Sequence, residues 1–225
     1  MTWNCNLQFS KKSALVDSFN ADVLVIQECE FLPMDYKPGY QLFWVGNNEK
    51  KGLAVLVRGN NSFRVKKSSK DFAYFLPIQS DYGLILGVWS FNKRAQKFGL
   101  KVSGYLVDVL ETYEEEIQSN YKVVIAGDFN NGPRWDVGRF HRNNFRFIQS
   151  ELSKRRFISS YHQAFAETPG NESRGTHFHQ RNPAKAYHID YIYSKGFKVG
   201  EVHLGDFTEW RDASDHVPLL AKLTD

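Results

Sequence analysis

Short apolar runs dominate the hydrophobic pattern of this chain, and most of them have the length of a strand rather than of a helix. A run of about four to eight apolar or alternating residues between turn-forming residues is typical of a β-strand. Such runs lie at 22–28, 40–45, 52–58, 63–66, 72–78, 82–89, 123–126, 187–193, 197–204 and 217–223. Gly46-Asn47-Asn48 is typical of a hairpin connection between the second and the third of these runs.

Helical spacing of apolar residues is found in three longer segments, 11–19, 104–119 and 144–157. The strongest is 104–119, where apolar side chains recur every three or four residues and glutamates occupy the other side. Many strands with a few helices between them favour two β-sheets that pack face to face and are covered by helices. The pattern therefore predicts a layered α/β or α+β arrangement.

The composition of the chain indicates one soluble folding unit. Its 225 residues are 42% hydrophobic, which is enough for one substantial core, and no Pro/Gly/Ser-rich linker or internal repeat divides them. We predict a single domain over residues 1–225. The apolar runs are far shorter than the roughly 18 residues of a membrane span, and the sequence has no signal-peptide pattern, so we expect no membrane span.

Cysteine usage favours a reducing setting. Cys5 and Cys29 are the only cysteines, and their spacing is that of neither a zinc site nor a disulfide framework, so we expect a cytoplasmic protein. Each cysteine lies beside a polar cluster described below. Small buried thiols are the simpler interpretation, and a redox role is the alternative.

The charge balance permits an anionic partner without demanding one. The net charge is +4 and the pI is about 8.9. Basic residues concentrate at 66–70, 139–146 and 154–156, and phenylalanines interleave with those between 139 and 157. This segment is either a nucleic-acid-binding face or an amphipathic helix with a solvated basic side, and both interpretations stay open.

Polar side chains stand at the ends of several predicted strands, where the pattern would otherwise be apolar. They belong to the clusters Thr2-Trp3-Asn4-Cys5-Asn6, Gln27-Glu28, Gly127-Asp128-Phe129-Asn130, His188-Ile189-Asp190-Tyr191 and Ser214-Asp215-His216. Carboxylates are expensive to bury unless they are paired, hydrogen-bonded or bound to a metal. One such acid could be structural, but several acids in equivalent positions indicate a site: Glu28, Asp128, Asp190 and Asp215.

In this order, the clusters resemble the motifs of the endonuclease/exonuclease/phosphatase superfamily, which has the DNase-I-like fold. They span residues 3–219, which is essentially the whole chain. The resemblance implies an α+β protein, a four-layered α/β/β/α sandwich in which two mixed β-sheets pack face to face with helices outside. It also implies hydrolysis of phosphoester bonds in nucleic acids, phosphoinositides, sphingomyelin or other small phosphates, with a divalent metal.

The metal ligands implied by the resemblance are oxygen donors. Glu28 is the principal predicted ligand, and Asn4 and Asp215 are predicted to complete or support its shell. Mg²⁺ binds oxygen atoms, keeps several waters and takes one or two carboxylates, so this set suits Mg²⁺ (or Mn²⁺). A cation in this position would neutralise and orient the substrate phosphate.

Four residues are predicted to carry the chemistry. Asp128 would orient and deprotonate the attacking water, and Asn130 would donate hydrogen bonds to a phosphate oxygen that gains charge in the transition state. His216 would contact the phosphate or act as an acid or base, a role that suits its ordinary pKa of about 6.5. By resemblance, Asp190 would hold the tautomer of His216 and favour its charged form.

This chain departs from the family at one substrate contact. Many members place a His or Tyr that contacts the scissile phosphate at the end of a strand where this chain has Trp89. Tyr105, Asn92 or His188 is predicted to supply the contact instead. Asn4 is predicted to bind substrate as well as to support the metal.

The leading functional prediction is a divalent-metal-dependent phosphoester hydrolase, most specifically a nuclease that cleaves nucleic-acid phosphodiester bonds by metal-assisted attack of water. The mild positive charge and the basic-aromatic segment motivate a nucleic acid as substrate and partner. The alternative is a phosphatase or phosphodiesterase acting on a small molecule or lipid head group, because specificity lies in loops. A catalytically inactive binding module is the third possibility. It is motivated by Trp89 and by Asn6, which stands where several family members carry an acid. We expect a monomer.

Overall fold

The structure, a computed structural model, describes residues 1–66, 74–90, 105–138 and 141–225. Its strands are β1 (Thr2–Asn4), β2 (Val23–Cys29), β3 (Tyr40–Asn48), β4 (Lys51–Arg58), β5 (Phe63–Arg64), β6 (Phe75–Ser80), β7 (Gly83–Trp89), β8 (Val123–Asp128), β9 (Ile158–Ser159), β10 (His177–Phe178), β11 (Ala186–Tyr187), β12 (Asp190–Lys195), β13 (Lys198–Leu204) and β14 (Leu219–Thr224). Its α-helices are α1 (Ala14–Asp17), α2 (Leu106–Thr112), α3 (Glu114–Ser119), α4 (Phe145–Lys154), α5 (Ser160–Phe165) and α6 (Phe207–Trp210).

Two six-stranded sheets contain almost all of these strands. The first sheet has the order β13-β14-β1-β2-β4-β3, and the second has the order β5-β6-β7-β8-β12-β9. Both are mixed, because β1 runs parallel to β2 in the first sheet and β7 runs parallel to β8 in the second. The remaining neighbours in each sheet are antiparallel. Strands β10 and β11 form a separate two-stranded ribbon.

The inner faces of the two sheets bury one apolar layer between them. Successive side chains of a strand point to opposite faces of its sheet, so alternate residues of each strand reach this layer. Val25 and Val55 of the first sheet lie so close to Gly87 of the second that a Cβ on Gly87 would stand 2.5 Å from a methyl group of Val55. The sheets therefore pack face to face with little space at this point.

Helices cover the outer faces of both sheets. The outer face of the second sheet packs against α2, α3 and α4 through a continuous set of buried apolar side chains that includes Leu84, Leu86, Val123, Ile125, Leu106, Leu110, Ile117 and Ile148. On the outer face of the first sheet, the ring of Trp3 packs edge-on against Trp210 at 5.0 Å and Phe9 at 6.4 Å. The predicted four-layered α+β sandwich is confirmed.

The predicted helices are shorter in the structure. The segment 104–119 contains two helices, α2 and α3, separated by Tyr113, whose dihedral angles are not helical (φ −103°, ψ 20°). Leu110 and Ile117 are buried on either side of the break, so the apolar spacing continues across it and does not reveal it. The segment 11–19 contains only the four-residue α1. None of the described helices has the length and hydropathy of a bilayer-crossing segment.

The strand predicted over 187–193 is divided into β11 and β12. The backbone N–H groups of Ile189 and Asp190 both donate to the hydroxyl of Thr176, at 3.0 Å each. At this point the hydroxyl of Thr176 thus accepts the bonds that a neighbouring strand would otherwise accept from the backbone. The division separates the ribbon β10–β11 from the sheet and leaves Asp190 as the first residue of β12.

A cavity of about 630 Å³ opens between the sheets at the end of the sandwich where β2 and β8 begin. Its wall is mostly apolar and includes Val23, Val124 and Leu220. The polar clusters predicted from the sequence lie at the other ends of these strands, so this cavity is not the candidate site.

Both cysteines are buried free thiols, and we expect neither to react in the folded protein. Burial raises the pKa of Cys5 to about 12 and strongly raises the pKa of Cys29. Because the thiolate is the reactive form, a disulfide reagent at about pH 8 should label no thiol in the native protein and both thiols in denaturant. Labelling of the native protein as fast as of the denatured protein would contradict this burial and favour the redox interpretation.

Candidate active site

The second sheet places two carboxylates side by side. In the register of β7, β8 and β12, Asp128 lies opposite Trp89 on one side and opposite Asp190 on the other. Asp128 ends β8, Asp190 begins β12, and both are buried. Like charges directly across a strand pair repel, so neighbouring groups must compensate for them.

Asp128 accepts hydrogen bonds from both sheets. The backbone N–H of Asn130 donates to Oδ1 at 2.8 Å, and Nδ2 of Asn130 donates to Oδ2 at 3.1 Å. Asn4, the last residue of β1 in the first sheet, donates from Nδ2 to the same Oδ2 at 3.1 Å. Nδ2 of Asn130 also donates to the carbonyl of Ser90 at 3.0 Å, so both of its hydrogens are engaged. The predicted donation of Asn130 to a phosphate would replace one of these two bonds.

A β-bulge positions Glu28 near the same point. The pairing of β2 with β4 shifts between Gln27 and Cys29, and the extra residue, Glu28, has a left-handed φ of 56°. Its Oε1 lies 3.5 Å from Nδ2 of Asn4, and its Oε2 lies 3.0 Å from Nζ of Lys51. Asn4 therefore connects Glu28 with the carboxylate at the end of β8, and Lys51 supplies a positive charge beside them.

His216 is held by Asp190 and by the first sheet. Its Nδ1 lies 2.8 Å from Oδ2 of Asp190, which places the hydrogen on Nδ1 and leaves Nε2 to meet a substrate. The indole of Trp3 donates to the carbonyl of His216 at 3.1 Å. The N–H of His216 donates to the hydroxyl of Ser214 at 3.0 Å, and this hydroxyl donates to the carbonyl of Asn4 at 2.7 Å. The histidine is thus fixed by partners from both sheets.

The buried charges of this cluster shift one another's pKa values. Burial raises the pKa of Asp128 to about 7; repulsion from Asp190 adds to the rise, and attraction from His216 opposes it. Burial by itself would lower the pKa of His216, but the attraction and hydrogen bond of Asp190 outweigh it and raise the pKa to about 9. An imidazolium therefore stands beside a carboxyl group that titrates near neutrality, as acid–base chemistry at neutral pH requires.

The donor atoms around Asp128 fit a hard divalent cation. Ligand atoms of Asp128, Asp190 and His216 lie within 4.8 Å of one another, and Oδ1 of Asp190 is buried without a hydrogen-bond partner among the described residues. His216 is a poor member of such a set, because a protonated imidazole cannot bind a metal. A carboxylate such as that of Glu28 is the kind of donor that Mg²⁺ prefers. Asn4 faces Glu28 and Asp128 with Nδ2. Its oxygen, Oδ1, accepts from the backbone N–H of Asn6 at 3.1 Å, so the metal contact of Asn4 stays a prediction.

Asp215, predicted as a metal ligand, faces a second histidine. Its Oδ2 lies 3.6 Å from Nε2 of His177, and the ring of His177 lies 4.5 Å from that of His216. Burial by itself would raise the pKa of Asp215, but the hydrogen bond from His177 and the charge of His216 outweigh it and lower the pKa to about 2. The described contact of this carboxylate is therefore with His177 rather than with Glu28.

The structure describes two of the three residues predicted to replace the missing phosphate contact. Asn92 lies outside the described residues. Tyr105 precedes α2 and packs edge-on against His141 at 5.6 Å. His188 is buried, its ring lies 4.3 Å from that of Tyr161, and burial lowers its pKa, which favours a neutral ring. The substrate contact of these residues stays a prediction.

Trp89 packs inside the protein. Its side chain is 3% exposed and meets Tyr74 edge-on at 4.7 Å. Nζ of Lys51 lies 5.2 Å from the centroid of its ring. Lys51 also pairs with Glu28. The ring of Trp89 therefore helps to hold the ammonium group of Lys51 beside the carboxylate of Glu28.

The basic segment 139–157 pairs with acids of the same chain, in the part that the structure describes. The ion pairs measure 2.6–2.7 Å and join Arg142 to Asp108 and Glu111, and Arg155 to Glu114 and Glu151. They connect α4 and the residues before it to α2 and α3. These partners favour a structural role for the segment over the predicted nucleic-acid face.

Two hydroxyl groups that support the site were not predicted from the sequence. Thr176 is completely buried and accepts from the backbone N–H of Asp190, and Ser214 links His216 to Asn4. Ser214 is visible in the sequence as the first residue of Ser214-Asp215-His216. Thr176 is visible in the sequence within Thr176-His177-Phe178, but its hydrogen bond from the N–H of Asp190 is revealed only by the structure.

The chain matches the model of the Endonuclease/Exonuclease/phosphatase family over residues 1–216. No curated protein sequence matches it. Among solved structures it is similar to a 3'-5' exonuclease (NExo) from Neisseria meningitidis, with a TM-score of 0.70, 20% identity, and coverage of 100% of this chain and 98% of that chain.

Two further solved structures resemble the chain. An AP endonuclease from Archaeoglobus fulgidus has a TM-score of 0.68 at 17% identity, with 99% of this chain and 97% of that chain covered. The AP endonuclease LMAP from Leishmania major has a TM-score of 0.71 at 13% identity, with 100% of this chain and 86% of that chain covered. At such identities the likeness shows the fold alone, whereas the family match spans nearly the whole chain. The protein belongs to the endonuclease/exonuclease/phosphatase family.

Proposed function

We propose that this protein is a divalent-metal-dependent phosphodiesterase that hydrolyses phosphodiester bonds in nucleic acids. One observation carries the proposal: Asn4 of the first sheet bonds to Asp128 of the second, beside the buried pair of Asp190 and His216. Buried groups of this kind are unfavourable unless they are paired or serve chemistry. Membership of the family supplies the reaction class, the hydrolysis of phosphoesters.

Asp128 is the base of the proposed reaction. Its oxygens are oriented by the amides of Asn4 and Asn130 and by the backbone N–H of Asn130. In this orientation the carboxylate accepts a proton from water while the water oxygen attacks phosphorus. The bond between phosphorus and the leaving ester oxygen breaks, and the leaving oxygen takes its proton from solvent. The two asparagines contribute by keeping the carboxylate in place, and this reduces the reorganisation that the reaction needs.

His216 is the proposed donor to the phosphate. Asp190 accepts a hydrogen bond from Nδ1, so Nε2 presents its N–H to the site. A positively charged imidazole in this position stabilises the negative charge that develops on a phosphate oxygen. Ser214 and Trp3 fix the backbone of His216, so the ring is oriented before substrate arrives.

Glu28 is the principal proposed ligand of Mg²⁺ (or Mn²⁺), with Asn4 and Asp215 as further predicted contributors. Asn4 would bind through Oδ1, in place of the hydrogen bond that this oxygen accepts from the backbone N–H of Asn6. When bound, the cation would polarise the phosphate and neutralise part of its charge. Glu28 lies on the bulge at the end of β2. Its carboxylate therefore contacts Asn4, which in turn bonds to the proposed base, Asp128.

Nucleic acid is the proposed substrate class on two grounds. Structural neighbours are described as AP endonucleases, and one is described as a 3' phosphatase from Neisseria bound to a product DNA hairpin. The chain itself carries a net charge of +4, which favours a polyanionic substrate.

The protein with Mg²⁺ is expected to release products from a nucleic acid in a panel of plasmid, abasic oligonucleotide, inositol phosphates and an aryl phosphodiester. EDTA should abolish turnover, and Mg²⁺ or Mn²⁺ should restore it.

Affinity for an oligonucleotide should fall steeply between about 50 and 200 mM salt, because phosphate contacts release counterions.

The same panel separates the alternatives. Turnover of inositol phosphates alone would assign a phosphatase or phosphodiesterase acting on small molecules. Oligonucleotide binding without turnover of any substrate would favour the inactive binding module. Affinity that stays flat across the salt range would count against nucleic acid.

A further inference from the structure

A row of aromatic rings runs from the candidate catalytic histidine to the protein surface. The ring of His177 lies 4.5 Å from that of His216, Tyr187 lies 5.9 Å from His177, and Trp135 lies 5.5 Å from Tyr187. Exposure increases along the row, from 5% for His216 through 16% for the side chain of His177 to 40% for Trp135. The row therefore offers a substrate a series of aromatic side chains that leads from the site to the surface, with Trp135 edge-on to Tyr187 at its outer end.

Arg134 adds a positive charge to the outer end of this row. Its guanidinium lies 4.4 Å from the ring centroid of Tyr187 and 5.5 Å from that of Trp135. Within the part of the chain that the structure describes, no carboxylate pairs with it, in contrast to Arg142 and Arg155. An arginine over aromatic rings offers both a charge and a flat face, the combination that binds the backbone and bases of single strands.

The turn that carries Trp135 is anchored to the candidate site. Asn131 follows Asn130 directly, is 3% exposed, and donates from Nδ2 to a backbone carbonyl at 2.5 Å. Gly132 leaves room for the indole, because a Cβ at this position would lie 3.1 Å from the ring of Trp135. Trp135 is therefore exposed but held in place, and its position is set by the segment that orients Asp128.

We propose that Trp135, Tyr187 and Arg134 form a stacking platform for a nucleobase adjacent to the phosphate that the site hydrolyses. The platform rests on the proposed function, because a nucleic acid presents a base beside each phosphate that can be cleaved. Stacking on an aromatic side chain tolerates any base but requires that the base be unpaired. The substrate class is therefore a nucleic acid with an unpaired nucleotide at the site.

Trp135→Ala tests the platform with two probes: a short single-stranded oligonucleotide, and the same oligonucleotide with abasic sugars around the cleaved bond. Loss of one stacked base should raise KM for the first probe about tenfold and leave kcat within about twofold. The abasic probe should show no difference between the variant and the wild-type protein. Trp135→Phe should retain most of the affinity, because phenylalanine keeps a π face.

The matched control is Tyr121→Ala, which removes an aromatic side chain that is 80% exposed at the start of β8, the end of the strand opposite Asp128. It should behave as wild type on both probes. The dissociation constant of each labelled probe, measured by anisotropy in EDTA, gives the same comparison without any need for turnover. The far-UV circular dichroism of Trp135→Ala should match that of the wild-type protein, because the substitution removes only a surface ring and leaves the secondary structure unchanged.

The failures of the two proposals are distinguishable. If the wild-type protein cleaves neither oligonucleotide but hydrolyses small phosphoesters, the proposed function is wrong. If the wild-type protein binds the oligonucleotide and Trp135→Ala binds it equally well, the platform is wrong while the proposed function stands. An equal loss of affinity for both probes would assign the contact to sugar and phosphate, and would also overturn the platform.

Discussion

Asp128→Asn is expected to reduce metal-dependent turnover about a thousandfold, because an amide cannot accept the proton of the attacking water. The substitution keeps the size of the side chain, so the fold should survive. In the wild-type protein Asn4 and Asn130 donate to the two carboxylate oxygens. In the variant one of these oxygens becomes an NH₂ group, which faces a donor and loses its hydrogen bond. Steady-state kinetics on an oligonucleotide with saturating Mg²⁺ measure the effect as a fall in kcat.

The control is Asp225→Asn, which makes the same chemical change at a side chain that is 85% exposed and pairs only with Lys122 among the described residues. Its kcat should equal that of the wild-type protein. Urea unfolding of both variants separates loss of chemistry from loss of folding. Turnover that survives in both Asp128→Ala and His216→Ala would show that the site has been assigned wrongly.

Gly127→Ala is expected to destabilise the protein by about 3 kcal/mol or more, or to prevent folding. Gly127 has a φ of 151°, and a Cβ there would lie 1.8 Å from the carbonyl oxygen of Val88 in the neighbouring strand. This overlap involves backbone on both sides, so no side chain can move to relieve it. The strands that would separate, β7 and β8, are those whose ends hold the candidate base.

Gly59→Ala is the matched control for this effect. Gly59 has a φ of 102°, but a Cβ there would meet nothing within 4 Å. Its substitution measures the strain of the backbone conformation alone, on the order of 1–2 kcal/mol. Equal free energies of unfolding for the two variants, measured in urea, would contradict the proposed overlap at Gly127.

The central strands were predictable because they are apolar on both faces. The runs at 82–89 and 123–126 correspond to β7 and β8, which lie in the middle of the second sheet with layers of side chains on each side. The two-stranded ribbon β10–β11 could not be predicted in the same way. It exists because Thr176 takes the backbone donors that would continue β12, and this is a contact between distant segments.

The sequence indicated which residues belong to the candidate site better than it indicated how they are arranged. The polar ends of apolar strands pointed to Asn4, Glu28, Asp128, Asp190 and His216, and the structure brings all of these together. The bulge at Glu28 and the engagement of both amide hydrogens of Asn130 depend on strand register and on backbone dihedral angles. Neither leaves a periodic signal in the sequence.

Charge was the least reliable guide to a binding surface. In the densest basic segment, 139–157, Arg142 and Arg155 pair with carboxylates of α2 and α3, and these charges are not free for a partner. The residue that the structure instead singles out, Arg134, is an isolated arginine beside Trp135 and stands out in the sequence by neither count nor spacing. Whether a charge is available to a partner depends on what surrounds it in the fold.

Strand β1 lies between β2 and β14, so segments from opposite ends of the sequence are neighbours in the first sheet. The link from Asn4 through Ser214 to His216 closes only across this junction. During synthesis on the ribosome, Asn4 emerges 210 residues before Ser214, its partner in this link. The polar network of the candidate site can therefore close only after the segment that carries Ser214 and His216 has been synthesised.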